Sequence, residues 1–218
     1  MKVEVNTIRF GNPDWLVTCA ETLDRWVDRH DYPLRIWTNQ DKKPEYPHVK
    51  FCIVDMWSSL LEGDSDWSVY VDGDIYVRSD APGLDFLCDT SGMLVKRRPR
   101  RQSTMFNWWC KRYTTADTAK QMLHWGYRNM GWFAIDRKAA ELLLKVVAPP
   151  YHYGTMDECQ ANYWMANAHW LHGMNISSPP SVWHKYYWES GPGWMWHLTT
   201  QSNKMQHLER IKREGKVA

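Results

Sequence analysis

Two acidic residues on either side of one glycine are the strongest chemical signal in this sequence. Asp72 and Asp74 flank Gly73 within a stretch, residues 68–77, that is otherwise apolar or aromatic and is predicted to be a strand. Two unpaired carboxylates inside a buried strand are costly, and a divalent cation removes that cost. Because residues two apart on a strand point to the same side, we expect both carboxylates to bind one ion. All-oxygen ligands favour Mg²⁺ or Mn²⁺ over zinc.

The plain alternative for this acidic pair is a solvated turn at the end of a strand. Acid-X-acid patterns are common in turns and in phosphoryl-transfer sites, so the pattern alone is weak evidence. Its position directly after a hydrophobic strand favours the metal site. Gly73 has no side chain, which lets the strand bend and a ligand approach closely.

The rest of the apolar pattern predicts the elements that must hold these acids. Apolar residues at helical spacing follow the first strand between Leu16 and Val27, and a further helix is predicted at 139–147. Strands that alternate with helices predict an α/β layer architecture, and 218 residues suit one compact domain. Besides residues 68–77, strands are predicted at 3–10, 34–38, 49–54, 93–96 and 131–135.

Four short segments of the chain match, in the same order, segments of a known family. They are the opening strand at 5–10, the acidic segment at 70–74, a strand at 128–136 and a helix start at 156–162. Together they resemble the GT-A glycosyltransferases, especially glycogenin and the bacterial lipopolysaccharide galactosyltransferases. The resemblance implies one Rossmann-like GT-A domain over residues 1–200, with a central mixed, mostly parallel sheet flanked by helices. Residues 201–218 are then a charged C-terminal tail.

The resemblance also implies which residues bind a nucleotide-sugar donor. The first strand receives the base and ribose, and the strand at 128–136 lies beside the donor sugar. Arg9 as a surface charge and Asn129 as a turn residue are the structural alternatives. The last motif departs from the family, since Glu158 stands where glutamine is usual. The implied donor-binding residues are Thr7, Arg9, Asp72, Gly73, Asn129 and Gly131.

A third metal ligand and a catalytic residue follow from the same resemblance. The family closes its metal site from the C-terminal segment, which implies His197 beside Asp72 and Asp74. An imidazole ligand suits Mn²⁺ better than Mg²⁺; the alternative is that His197 packs among tryptophans. Asp157 or Gln160 is implied near the anomeric carbon, where a carboxylate or amide stabilises positive charge. For Asp157 the helix dipole alone also explains an acid in the first turn.

The implied function is metal-dependent transfer of a hexose from a nucleotide-sugar, a UDP-sugar, to a glycan, lipid-linked or protein acceptor, with retention at the anomeric carbon. One alternative is a sugar-1-phosphate nucleotidyltransferase, but the loop at 9–13 holds one glycine where that class has a glycine-rich phosphate loop. Another is a non-enzymatic sugar- or nucleic-acid-binding module that uses its 15 tryptophans and a basic run. Buried paired acids at a strand end are poorly explained by that module.

Charge and cysteine usage narrow the class of partner. A net charge of +2 does not require a stable nucleic-acid partner. The basic run at 96–101 is either a solvated loop, a contact for a donor phosphate or an anionic acceptor, or a nucleic-acid patch. The five cysteines are scattered without a CxxC pair, which favours reduced thiols and a cytoplasmic location. No apolar run is long enough for a transmembrane segment.

Overall fold

The computed structural model describes residues 1–11, 13–98, 104–149, 151, 156–189, 191–198 and 203–213. The strands, in chain order, are Val3–Ile8 (β1), Leu34–Trp37 (β2), Trp67–Val71 (β3), Ile75–Val77 (β4), Met93–Arg97 (β5), Arg128–Asp136 (β6), Ile176–Ser177 (β7), Lys185–Tyr186 (β8) and Met195–His197 (β9). The helices are Asp14–Arg29 (α1), Ile53–Glu62 (α2), Thr104–Tyr113 (α3), Ala116–Trp125 (α4), Arg137–Leu144 (α5), Met156–His172 (α6) and Lys204–Arg213 (α7).

The main sheet has six strands in the order β2-β1-β3-β6-β5-β7. Strands β2, β1 and β3 are parallel, and β5 is parallel to β7. Strand β6 runs antiparallel to both of its neighbours, β3 and β5. The sheet is therefore mixed, with parallel pairings in the majority, and the predicted fold class is confirmed.

Helices cover both faces of this sheet. Helices α2, α5 and α6 enclose one core, in which Trp57 and Trp164 pack near Tyr70 and Phe133. Helix α1 packs against the other face, where Trp26 joins a second core. Among the described residues, no helix is long and apolar enough to cross a membrane.

A small second sheet pairs the late segment β9 with β4, the strand that follows the acidic pair. Strand β9 pairs antiparallel with β4 and parallel with β8. Helix α7 follows β9 and buries Leu208 and Ile211 in a cluster with Cys19 and Trp196. The segment predicted to be a charged tail thus contains a helix that packs on α1 and the second sheet.

Two strand predictions were wrong. Residues 49–54 begin a 3-10 helix (Val49–Cys52) that runs into α2, because a short apolar run does not distinguish a strand from a helix buried on most sides. Residues 68–77 are two strands in two different sheets, β3 and β4, rather than one. The acidic pair therefore lies in the connection between β3 and β4, and the prediction that Asp72 and Asp74 share a strand face was wrong.

Candidate metal centre

The acidic pair occupies a tight connection at the carboxyl end of β3. The amide of Ile75 donates to the carbonyl of Asp72 at 3.0 Å, which closes the turn. A Cβ atom at Gly73 would lie 3.0 Å from the carbonyl oxygen of Ile8 and 2.9 Å from a methyl of Leu16. Glycine is therefore required for the turn to lie against the ends of β1 and α1.

Three potential ligands converge on this turn. One ligand atom from each of Asp72, Asp74 and His197 lies within 4.8 Å of the other two. The pairing of β4 with β9 sets the position of His197, because it places His197 opposite Ile75. The amide of Leu198 also donates to the carbonyl of Asp74 at 3.0 Å. The structure thus brings together all three residues predicted to hold a metal.

The side chains of this triad fit a divalent cation. Nε2 of His197 lies 3.0 Å from Oδ1 of Asp74, yet that buried oxygen has no hydrogen-bond partner among the described residues. Two ligand atoms that face each other without a satisfactory hydrogen bond are suited to share an ion. Oδ1 of Asp72 accepts from the amide of Gly73 at 3.0 Å and from the hydroxyl of Tyr70 at 3.1 Å, which orients that carboxylate. Two carboxylates and an imidazole suit Mn²⁺, and also Mg²⁺ less well.

A lysine from α7 already balances part of the negative charge. Nζ of Lys204 lies 2.5 Å from Oδ2 of Asp74, and both side chains are nearly buried. Burial alone raises the pKa of Asp74, but His197 and the ammonium group of Lys204 outweigh it and hold that pKa below its usual value. Asp74 is therefore ionised at neutral pH and ready to bind a cation. No sequence pattern singled out Lys204, which is 130 residues away from Asp74.

Gly131 makes room for the imidazole. A Cβ atom at Gly131 would lie 2.1 Å from Cε1 of His197, far inside van der Waals contact. Asn129 shapes the same stretch of β6, because its Oδ1 accepts from the amide of Gly131 at 3.2 Å. The pairing of β5 and β6 is irregular here, and the amide of Asp72 donates to the carbonyl of Gly131 at 2.7 Å. Both residues predicted to lie beside the donor sugar thus border the triad.

A second histidine, His184, forms a hydrogen bond that orients the ring of His197. Nε2 of His184 and Nδ1 of His197 share a buried hydrogen bond of 3.1 Å. Burial, together with the charge of His197, holds the pKa of His184 well below its usual value, so His184 is neutral. If Nε2 of His197 binds a metal, its Nδ1 carries the proton and donates to His184. Such partners fix the orientation and tautomer of ligating histidines, and nothing in the sequence pointed to His184.

A glutamate near the start of α6 lies beside the triad. Glu158 and Asp72 line one narrow pocket together with Lys50, Tyr70 and Met130. Burial raises the pKa of Glu158, against the opposing positive charges of Lys50 and Arg98. The departure from the family's usual glutamine was the sequence signal at this position, although Asp157 and Gln160 were the predicted residues.

The other predicted residues have different surroundings. The hydroxyl of Thr7 is buried without a hydrogen-bond partner among the described residues. Arg9 forms an ion pair with Asp24 of α1 at 2.5 Å, so the structure supplies it with a structural role. Gln160 is buried in α6, and the side chain of Asp157 lies outside the described part of the chain.

Known proteins resemble this chain in structure and not detectably in sequence. No protein-family model matches it, and neither does any curated protein. A glycosyltransferase involved in glycosylation of the major capsid of PBCV-1 is similar with a TM-score of 0.56 and 10% identity, over 98% of this chain and 100% of that one. Mouse xyloside xylosyltransferase 1 has a TM-score of 0.53 and 9% identity, over 94% and 99% of the chains. An active-site mutant of LgtC has a TM-score of 0.50 and 11% identity, over 98% and 100%.

Identities this low establish the fold alone. That fold is the GT-A fold predicted from the order of the four sequence segments. Asp72 and Asp74 lie in the connection that leaves the carboxyl end of β3, and His197 reaches it from β9. Open α/β sheets bind ligands at the carboxyl ends of their strands.

Proposed function

We propose that this chain is a metal-dependent glycosyltransferase that transfers a hexose from a UDP-sugar to a sugar-containing, lipid-linked or protein acceptor. The observation that carries the proposal is the convergence of Asp72, Asp74 and His197 at a strand end of a GT-A fold. Two segments 120 residues or more apart supply ligand atoms to one point, which a solvated turn does not require. Mn²⁺ fits this ligand set better than Mg²⁺ because one ligand is an imidazole.

The residues of the site divide the work of the reaction. A bound divalent cation supplies positive charge for the diphosphate leaving group. Asp72 and Asp74 hold that cation, and Lys204 keeps Asp74 ionised before the cation arrives. His184 holds the proton of His197 on Nδ1, which leaves Nε2 free to bind the cation.

Donor recognition falls to residues around the triad. Thr7 has a buried hydroxyl with no described partner, which suits a contact with the nucleotide. Asn129 and Gly131 border the triad where a donor sugar would lie, and Gly73 contributes by allowing the turn that presents Asp72 and Asp74. Arg9 contributes to this site only if it leaves its ion pair with Asp24.

A carboxylate is expected near the anomeric carbon, which becomes positively charged as the glycosidic bond breaks. Glu158 suits this role because it lines the same narrow pocket as Asp72. Asp157 and Gln160 lie within the same turn of α6 and remain candidates for contacts with sugar hydroxyls. A carboxylate at this place is compatible with retention of configuration.

Calorimetric titration of the protein with UDP, with and without Mn²⁺, tests the proposal. UDP should bind only when Mn²⁺ is present, and Asp72→Asn or Asp74→Asn should abolish this dependence while the thermal unfolding transition remains cooperative. Asp64→Asn is the matched control, because Asp64 is an exposed acid that pairs with Lys2. Metal-independent UDP binding by the native protein, or unchanged binding in both site variants, would remove the metal assignment.

A further inference from the structure

An arginine close to Gly131 in β6 has a buried side-chain nitrogen with no polar partner within the described part of the chain. Arg128 is the first residue of β6, and its Nε atom is buried with no hydrogen-bond partner among the described residues. Within the described part of the chain its guanidinium packs over the ring of Trp125, 4.8 Å from the centroid, and forms no ion pair. Burying a charged group without hydrogen bonds is costly. Arg128 is partly buried, and a buried Nε donor of this kind is suited to bind an anion.

A second arginine lies opposite Arg128 and adds to the positive charge at this place. Arg97 is the cross-strand partner of Arg128 in the pairing of β5 with β6. Like charges directly opposite on neighbouring strands destabilise a sheet. Burial, together with the charge of Arg97, lowers the pKa of Arg128 to about 10. Neither Arg97 nor Arg128 forms an ion pair within the described part of the chain, so the positive charge of this cross-strand pair is not balanced there.

The backbone and the aromatic neighbours hold both arginines in place. The amide of Arg128 donates to Oδ1 of Asn162 at 2.7 Å, and Nδ2 of Asn162 donates back to the Arg128 carbonyl at 2.8 Å. Arg97 lies against Gly126, where a Cβ atom would be 3.0 Å from its Nε. The neighbouring Arg98 donates to the hydroxyl of Tyr186 at 3.0 Å. The site is therefore preorganised, which lowers the entropic cost of binding.

This arginine pair lies on the same edge of the sheet as the triad. Strand β5 ends at Arg97, and β6 begins at Arg128, three residues before Gly131. Three residues span no more than about 10 Å, and Gly131 borders His197. The start of β6 that carries Arg128 and the triad therefore lie at the same end of the sheet.

We propose that Arg97 and Arg128 bind an oxyanion, a phosphate or a carboxylate, carried by the acceptor. That the acceptor carries this anion rests on the proposed function, whereas the anion site rests on the two arginines alone. Guanidinium groups bind phosphates and carboxylates through paired hydrogen bonds, which would satisfy the buried Nε donor of Arg128. The preferred acceptor is therefore a sugar or lipid-linked sugar with a negative charge close to the attacking hydroxyl.

Thermal unfolding of the metal-free protein tests the anion site with inorganic phosphate and glucuronic acid as probes. Glucose serves as the neutral comparison, and the ionic strength is held constant with NaCl. The midpoint of the native protein should rise with both anions and not with glucose. Arg128→Met keeps the stacking on Trp125 and removes the charge, so without an anion its midpoint should equal or exceed that of the native protein, and the anions should no longer raise it.

Two further variants keep the anion-binding result interpretable. Arg97→Met affects an exposed side chain and should weaken phosphate binding about tenfold or more. Arg35→Met is the matched control, since Arg35 also packs on a tryptophan, 3.7 Å from the ring of Trp37, and should leave the phosphate effect intact. An equal phosphate effect in native protein, Arg97→Met and Arg128→Met would overturn the site, as would the absence of any effect in the native protein.

A second measurement separates this site from the proposed function. Arg128→Met should retain Mn²⁺-dependent UDP binding, and it should raise the KM for a phosphate-bearing acceptor while transfer to a neutral acceptor is unchanged. Loss of the phosphate effect in the native protein with metal-dependent UDP binding intact would refute the anion site alone. A phosphate effect that depends on Arg128, without any metal-dependent UDP binding, would refute the transferase and leave the anion site standing. Equal KM values for charged acceptors in native and variant protein would exclude the acceptor as the source of the anion.

Discussion

Replacement of Gly131 by alanine should disable the metal site although Gly131 supplies no ligand. The new Cβ atom would lie 2.1 Å from Cε1 of His197, whereas ordinary contacts begin at 3.4 Å. The imidazole must therefore move by about 1.3 Å, while ligand distances in metal sites tolerate only about 0.2 Å. Gly131 does not have a left-handed backbone conformation, so the alanine acts through this contact and not through backbone strain. We expect Mn²⁺ to bind about 10- to 100-fold more weakly in the presence of UDP.

The assay is calorimetric titration of Mn²⁺ into native protein, Gly131→Ala, His197→Ala and the double variant, with UDP at saturation. If alanine acts through His197, the double variant binds Mn²⁺ no more weakly than His197→Ala alone, since the two changes share one cause. The clash should also cost about 1–3 kcal/mol of stability, and removal of the imidazole should restore most of it. Unchanged Mn²⁺ affinity in Gly131→Ala, or additive losses in the double variant, would refute the reasoning.

Three other changes address the neighbours of the triad. His184→Leu removes the partner of Nδ1 of His197 and should weaken Mn²⁺ binding about tenfold or more. His184→Gln keeps an acceptor at this place and should recover part of the loss. Equal Mn²⁺ affinities of the native protein and His184→Leu in calorimetric titration would contradict this. Glu158→Gln should lower kcat about 100-fold or more with UDP affinity unchanged, and an unaltered kcat would return Glu158 to a structural role. The fold holds the pKa of Asp74 below its usual value, so the ionised carboxylate stabilises the folded state above a pH of about 4. This stabilisation is lost as the pH falls further and Asp74 becomes protonated. Native protein should therefore lose stability more steeply than Asp74→Asn in urea unfolding below that pH, and parallel curves would contradict it.

Sequence alone identified the acidic pair and the fold class. Asp72 and Asp74 directly follow an apolar strand and precede further apolar residues, and paired carboxylates in such surroundings favour a bound cation. Alternation of strands and helices was enough for the α/β architecture, because hydrophobic periodicity is a local property of the chain. The same local reading failed at residues 49–54, where a short apolar run is equally compatible with a strand and with a buried helix.

His197 was predicted from its place in the chain, and only the tertiary structure shows how it reaches the turn. The pairing of β4 with β9 aligns Ile75 with His197, and no pattern around either residue specifies that register. Only the tertiary structure also shows that a turn between two sheets, and not a shared strand face, directs Asp72 and Asp74.

Lys204, His184 and the pairing of Arg97 with Arg128 were decided by the tertiary structure, although Arg97 belongs to the basic run at 96–101 for which the sequence allowed an anionic contact. Each depends on a contact between segments far apart in the chain, such as the 130 residues between Asp74 and Lys204. A charged side chain has the same local pattern whether it is solvated or buried, since charge, unlike hydrophobic periodicity, does not report which face of an element is covered. Residue type was therefore enough to predict the side chains that could bind a cation. The groups that balance the charge of Asp74, orient His197 and add an anion site depend on which distant segments of the chain pack together.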